Sequence, residues 1–200
     1  MPPVTTALIV ANVAMYLLEQ VAPGLVYPLA LWPLGAGAAG GASFAPWQLV
    51  TYAFLHGGLT HLAFNMFALY MFGSAIEQVF GARRYLIYYF VCVVSAALTQ
   101  LVFAMVSGGF YPTVGASGGV FGLLLAYAIY FPNNRVMLLF PPIPMPARVF
   151  VLLYAAIELV LGVTGTQEGV AHFAHLGGMI GGYALLRYWR GPGGGRRIVR

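Results

Sequence analysis

The chain has 200 residues, of which 61% are hydrophobic and 6% charged, and its formal net charge is +5. A soluble domain carries about 25% charged residues, so this composition, with a mean hydropathy of +0.87, excludes a water-soluble fold and predicts an integral membrane protein. A single cysteine, Cys92, excludes an intramolecular disulfide and reads as a small buried apolar residue.

A spanning helix needs about 20 mostly apolar residues, fewer where protein shields it. The first such run is 4–21; no basic residue precedes it, so it does not read as a secretory leader. Residues 22–59 form a long uncharged stretch with Trp32, Phe44, Trp47, Tyr52 and several prolines. That composition predicts an external loop half-embedded at the membrane interface. Further apolar runs follow at 60–80, 85–106, 115–131, 147–163 and 170–188, separated by Gly, Pro and Asn clusters with turn chemistry. The predicted fold is an all-α bundle of six transmembrane helices in one domain, 1–190, with 191–200 a disordered basic tail on the inner leaflet.

The positive charges test this count. All nine are arginine: Arg83, Arg84, Arg135, Arg148, Arg187, Arg190, Arg196, Arg197 and Arg200. Six spans place every one on the same membrane face, whereas five or seven would scatter them. The positive-inside rule makes that face cytoplasmic, with both termini there, as in a multi-pass cell (inner) membrane protein. The charge is thus a topology signal and an attraction to anionic lipid. It does not point to nucleic acid.

Orientation gives depth. Spans two, four and six run inward from the outer face. His61 and Asn65 lie near the outer mouth of span two, four residues apart and so on one helical face. Ser117 lies at the mouth of span four, and His172 and His175 at that of span six. Polar groups within a bilayer are costly and face the protein interior, so residues converging at one depth form a candidate site. The glycine pairs Gly115/Gly119, Gly118/Gly122, Gly177/Gly181 and Gly178/Gly182 let backbones approach closely. They are expected to bring span four against span six, with Ser117 opposite a histidine.

A serine hydroxyl becomes a useful nucleophile when a base takes its proton, and neutral imidazole does this near pH 7. By spacing alone either His172 or His175 can serve. The oxyanion would be met by the Ser117 backbone N–H, in the first turn of its helix, and by His61 and Asn65. Glu19, Glu77, Glu158 and Glu168 are the only carboxylates. None sits at an evident place to orient the histidine, so a Ser–His dyad is expected. His56 is expected to cap the external loop. A zinc peptidase needs a glutamate beside its ligands; none accompanies the histidines in sequence, so no metal is expected.

These motifs resemble those of the rhomboid family of intramembrane serine proteases over nearly the whole chain. Gly115-Ala116-Ser117-Gly118 resembles the family's GxSG, which implies Ser117 as nucleophile. The run AHLGGMIGG, with Gly178 and Gly182, resembles AHxxGxxxG and implies His175 as base, leaving His172 to pack or hydrogen-bond. HLAFN resembles HxxxN, whose side chains, here His61 and Asn65, help form the oxyanion hole. GSAIEQVFG resembles GxxxExxxG, which implies a structural Glu77, paired with Arg83 or Arg84 or with backbone. Trp47-Gln48 departs from the Trp-Arg of many relatives. The resemblance implies cleavage in or near transmembrane segments of other proteins, with no cofactor, by the simple six-helix bacterial form. It further implies a cap at residues 164–169 and a movable span five that admits substrate.

Overall fold

The computed structural model describes residues 1–137, 142–165 and 171–191. The chain forms a bundle of long helices: α1 (Pro3–Val21), α2 (Leu59–Phe80), α3 (Ala82–Ser107), α4 (Ser117–Tyr130), α5 (Ala147–Thr164) and α6 (His172–Arg190). Four of them, α1, α2, α3 and α5, are long and apolar enough to cross a membrane. The protein is therefore a helical membrane protein. The sequence predicted six crossings of similar length. α4, at 14 residues, is only about 21 Å long, because its N-terminal end stops at Ser117 and the chain before it is not helical. α6, at 19 residues, holds two histidines near its start and two arginines in its last turn. The start of the predicted sixth span at 170, residues 166–169 of the expected cap and residues 192–200 of the tail lie outside the described residues.

α3 and α6 pack along each other, and α4 lies against both. Small residues make this possible. A Cβ at Gly178 would fall against the backbone of Gly118, with its Cα at 3.2 Å, and one at Gly122 would lie 3.2 Å from the Gly178 carbonyl oxygen. Gly118 and Gly178 therefore join α4 to α6, while Gly122 clears both the Gly178 carbonyl and, more closely, Cys92 of α3. The other predicted glycines have a different use: Gly119, Gly177, Gly181 and Gly182 give room to Tyr89, Thr99, Ser95 and Tyr88 of the central α3.

Glu77 ties α1 to α2. Its carboxylate accepts from the backbone N–H of Val4 (2.9 Å) and Thr5 (2.7 Å) and from the Thr5 hydroxyl (2.7 Å). The N-terminal amides of α1 have no partner within their own helix, and an anion there is stabilised by the helix dipole. Backbone and the Thr5 hydroxyl, rather than Arg83 or Arg84, are its partners among the described residues. At the same end of the bundle Phe80 meets Tyr88, Tyr130 and Trp189 edge-on, and Arg84 sits over the Trp189 ring.

The long segment between α1 and α2 is folded on the helices. Leu31 exchanges two backbone hydrogen bonds with Thr113, at 3.0 and 2.9 Å, joining the loop to the approach to α4. Gln48 organises its interior: its carbonyl accepts from the Trp32 N–H at 3.1 Å, and its amide donates to Pro28 and Ser43 carbonyls. The departure from Trp-Arg thus puts a neutral hydrogen-bonding hub in place of a charge. Between α4 and α5 the chain forms a short antiparallel pair, β1 (Arg135–Met137) and β2 (Pro144–Pro146). Its prolines remove ladder donors, which obscured it in the sequence.

Candidate functional site

Ser117 is the first residue of α4. The chain reaches it through Gly115, whose φ of +129° suits glycine and whose N–H donates to the Tyr52 carbonyl at 3.0 Å. A Cβ there would lie 2.8 Å from the His61 ring. Gly115 is therefore required twice, for its backbone shape and for the space His61 fills. Tyr52 is itself anchored, its hydroxyl donating to the Val93 carbonyl of α3 at 2.8 Å.

The Ser117 Oγ and the His175 Nε2 are 2.8 Å apart. The serine is half-buried and His175 is buried. Phe121, one turn below Ser117 on α4, stacks on the imidazole with ring centroids 4.2 Å apart and planes 5° from parallel. The ring is thus held against translation and tilt. Its face and its Nε2 edge are both supplied by α4, which is why the Gly118–Gly178 approach matters: only backbones this close allow a short hydroxyl to reach the ring.

The other ring nitrogen corrects the sequence expectation. Glu158 of α5, expected to play no part, lies between the two histidines. Its Oε2 is 2.6 Å from His172 Nδ1, in a hydrogen bond, and 2.9 Å from His175 Nδ1. The second approach is close but lies off the straight N–H line, so that Nδ1 has no well-aligned partner. Glu158, His172 and His175 are all buried. The sequence hid this because 14 and 17 residues separate Glu158 from the histidines, on a different helix. The one available signal was a carboxylate in the C-terminal half of an apolar span, which demands a partner.

His61 lies beside Gly115 and packs edge-on to the ring of His56, with centroids 5.1 Å apart. His56 is buried in the segment before α2, and its backbone N–H donates to the carboxylate of Glu19, at 3.2 and 3.1 Å from the two oxygens. Burial, and then the neighbouring His61 ring, lower its pKa to about 4, so it is neutral at physiological pH. Asn65 is buried, and its amide donates back to the His61 carbonyl at 2.9 Å. Depth thus gathers Ser117, His175 and His61, while the Asn65 side chain is tied to its own helix. Phe121 and Tyr52 escaped the sequence reading. Phe121 could have been found from its position four residues after Ser117, on the same helical face.

One group in the site could hold a metal ion. Glu158, His172 and His175 each offer a ligand atom, all within 4.8 Å of one another. The reasoning that no glutamate accompanies the histidines is corrected accordingly.

Residues 43–191 match the Rhomboid domain, a segment that contains every residue of the site. The Rhomboid protease GluP of Bacillus subtilis (strain 168) is 33% identical over 68% of this chain and 25% of that protein. The putative rhomboid protease YdcA of the same organism is 29% identical over 70% of the chain and 65% of its own length. The presenilin-associated rhomboid-like protein, mitochondrial, of Bos taurus is 27% identical over 92% of the chain and 48% of its own length. The chain thus spans less than two thirds of each of these relatives. With the domain match covering the helices that carry Ser117, His61, Asn65 and His175, this chain belongs to the rhomboid family.

Proposed function

We propose that the protein is an intramembrane serine endopeptidase that cleaves peptide bonds in or near transmembrane segments of other membrane proteins, without cofactor or metal. The observation that carries this reading is the 2.8 Å approach of the Ser117 Oγ to the His175 Nε2, inside a membrane bundle. His175 takes the hydroxyl proton as Ser117 attacks the scissile carbonyl. The oxyanion is met by the Ser117 backbone N–H, at the open N-terminus of α4, with His61 and Asn65 as further donors. The imidazolium then protonates the leaving amine. Water enters, His175 takes its proton as the oxygen attacks the acyl carbonyl, and the imidazolium returns that proton to the Ser117 Oγ as the acid product leaves.

The topology proposed with it has six crossings in one domain, 1–190, both termini and the basic tail on the cytoplasmic side of the inner membrane, and the site opening toward the outer face. The arginine distribution supports this. Partners are transmembrane substrates and surrounding lipid. A substrate helix must unwind locally before its carbonyl reaches Ser117, so small and helix-weakening residues at the cut are favoured.

Labelling with a fluorophosphonate tests the reading. Wild-type protein is expected to label and to cleave a transmembrane reporter, and Ser117→Ala and His175→Ala to do neither while keeping the wild-type Tm. Cleavage surviving in pure Ser117→Ala would remove the nucleophile. A wild type that binds transmembrane helices but neither labels nor cleaves would be a catalytically inactive relative that chaperones them.

A further inference from the structure

We infer that Glu158 is a positioning residue that fixes the imidazole of His175 through Nδ1, in a Ser117–His175–Glu158 chain clamped at its far end by His172. The inference rests on the serine-protease reading above and deepens it.

A histidine that takes a proton from serine must present the bare lone pair of Nε2 to the hydroxyl. In the neutral ring the hydrogen must then sit on Nδ1. Stacking on Phe121 fixes the plane of the His175 ring, but a stack cannot tell one ring nitrogen from the other. Something beside Nδ1 has to make the choice. The group there is the Glu158 Oε2, at 2.9 Å, and a carboxylate can only accept. A ring carrying its hydrogen on Nε2 would put two lone pairs against each other at that distance.

The carboxylate needs its own reason to be there. An anion on a helix long and apolar enough to cross the membrane is costly unless partnered. His172 supplies a 2.6 Å hydrogen bond from Nδ1, in the short range of charge-assisted bonds. His172 and His175 lie one turn apart on α6, so a single carboxylate oxygen from α5 reaches both. The bond to His172 holds that oxygen in place, and the oxygen faces His175.

The arrangement acts when charge develops. As the Ser117 proton moves to Nε2, the ring becomes an imidazolium that still holds its Nδ1 hydrogen. Glu158 stays ionised and attracts that cation in a dry environment, where attraction is much stronger than in water. No proton passes to Glu158.

The test uses the full chain in proteoliposomes, with a transmembrane reporter peptide, and the variants Glu158→Ala, Glu158→Gln and Glu158→Asp. Glu158→Ala is expected to lower kcat by about 10²-fold or more, the low end of a general-base contribution, with KM within about twofold. Glu158→Asp is expected to recover part of the loss and Glu158→Gln little of it. In ¹⁵N-histidine spectra of the wild type near pH 8, assigned by comparison with His175→Ala, His175 is expected to carry its hydrogen on Nδ1. Glu158→Ala is expected to give a mixture of both tautomers. A wild-type His175 protonated on Nε2 would overturn the inference even if every variant unfolds, as would an unchanged kcat in Glu158→Ala. A loss carried by KM and Tm together, with the tautomer unmoved, would make Glu158 a structural tie only and equally overturn it. Wild-type protein that neither cleaves nor reacts with fluorophosphonate would instead overturn the protease reading.

Discussion

Phe121 lies flat on His175, with 4.2 Å between ring centroids and 5° between planes, in the same turn-to-turn register that presents Ser117 to the ring edge. One face of one helix therefore supplies both the hydroxyl and the platform that aims the imidazole at it. Aromatic pairs are worth about 0.5–1.5 kcal/mol beyond area burial, so a lost platform costs roughly 2- to 10-fold in rate. Phe121→Ala is expected to slow fluorophosphonate labelling of Ser117 by at least that factor, and Phe121→Tyr to keep it near wild type. Equal labelling by Phe121→Ala would show that packing elsewhere holds the ring.

The helices were legible because lipid imposes a length and a composition on each of them: predicted runs 4–21, 60–80 and 147–163 differ from α1, α2 and α5 by one residue at an end. The meeting of Ser117 with His175 was legible because depth in a membrane is a coordinate that sequence supplies. What sequence does not supply is rotation about each helix axis and which helix faces which. Glu158 was overlooked for that reason, since its depth follows from its place in the span but its direction does not. Gln48 stood out in the sequence only as a departure from Trp-Arg, and its role stayed hidden for another reason: a loop residue that bonds three separate backbone groups leaves no periodic trace.

The meeting of α4 and α6 is set by Gly178. A methyl there would press on the Gly118 backbone, which has no side chain to move aside. Overpacking of this kind costs about 1–3 kcal/mol, or roughly 2–12 °C in Tm for a protein of this size. Gly178→Ala is expected to show that fall in a thermal-shift measurement and to lose more activity than stability explains, because separating the helices lengthens the Ser117–His175 contact. Gly57→Ala, where a Cβ meets nothing within 4 Å, serves as the control. Wild-type turnover in Gly178→Ala would mean the contact does not depend on this approach.

His56 gives the protein a pH dependence of known sign. Its folded pKa is about 4, against about 6.5 in an unfolded chain. The unfolded state therefore binds the proton more readily, so the stability from keeping His56 neutral is whole above about pH 6.5 and is lost as pH falls toward 4. His56→Gln is expected to narrow the Tm difference between pH 7.5 and pH 5. A difference as large as the wild type's would assign the acid sensitivity to other groups.

Glu158, His172 and His175 resemble a metal-binding trio, yet Glu158 and His172 already bond each other and the His175 Nε2 serves Ser117. A zinc ion taking Glu158 and the histidine nitrogens would compete with the 2.6 Å bond between Glu158 and His172 and draw on the imidazole that Ser117 needs. The protease reading therefore expects metal to inhibit rather than to activate. Protein stripped with a strong chelator is expected to cleave a transmembrane reporter at the untreated rate. Added zinc is expected to slow cleavage reversibly, and less so in His172→Ala, which lacks one ligand. Activity lost on chelation and restored by zinc would reverse the assignment, making Glu158 and the histidines a metal centre and Ser117 a bystander.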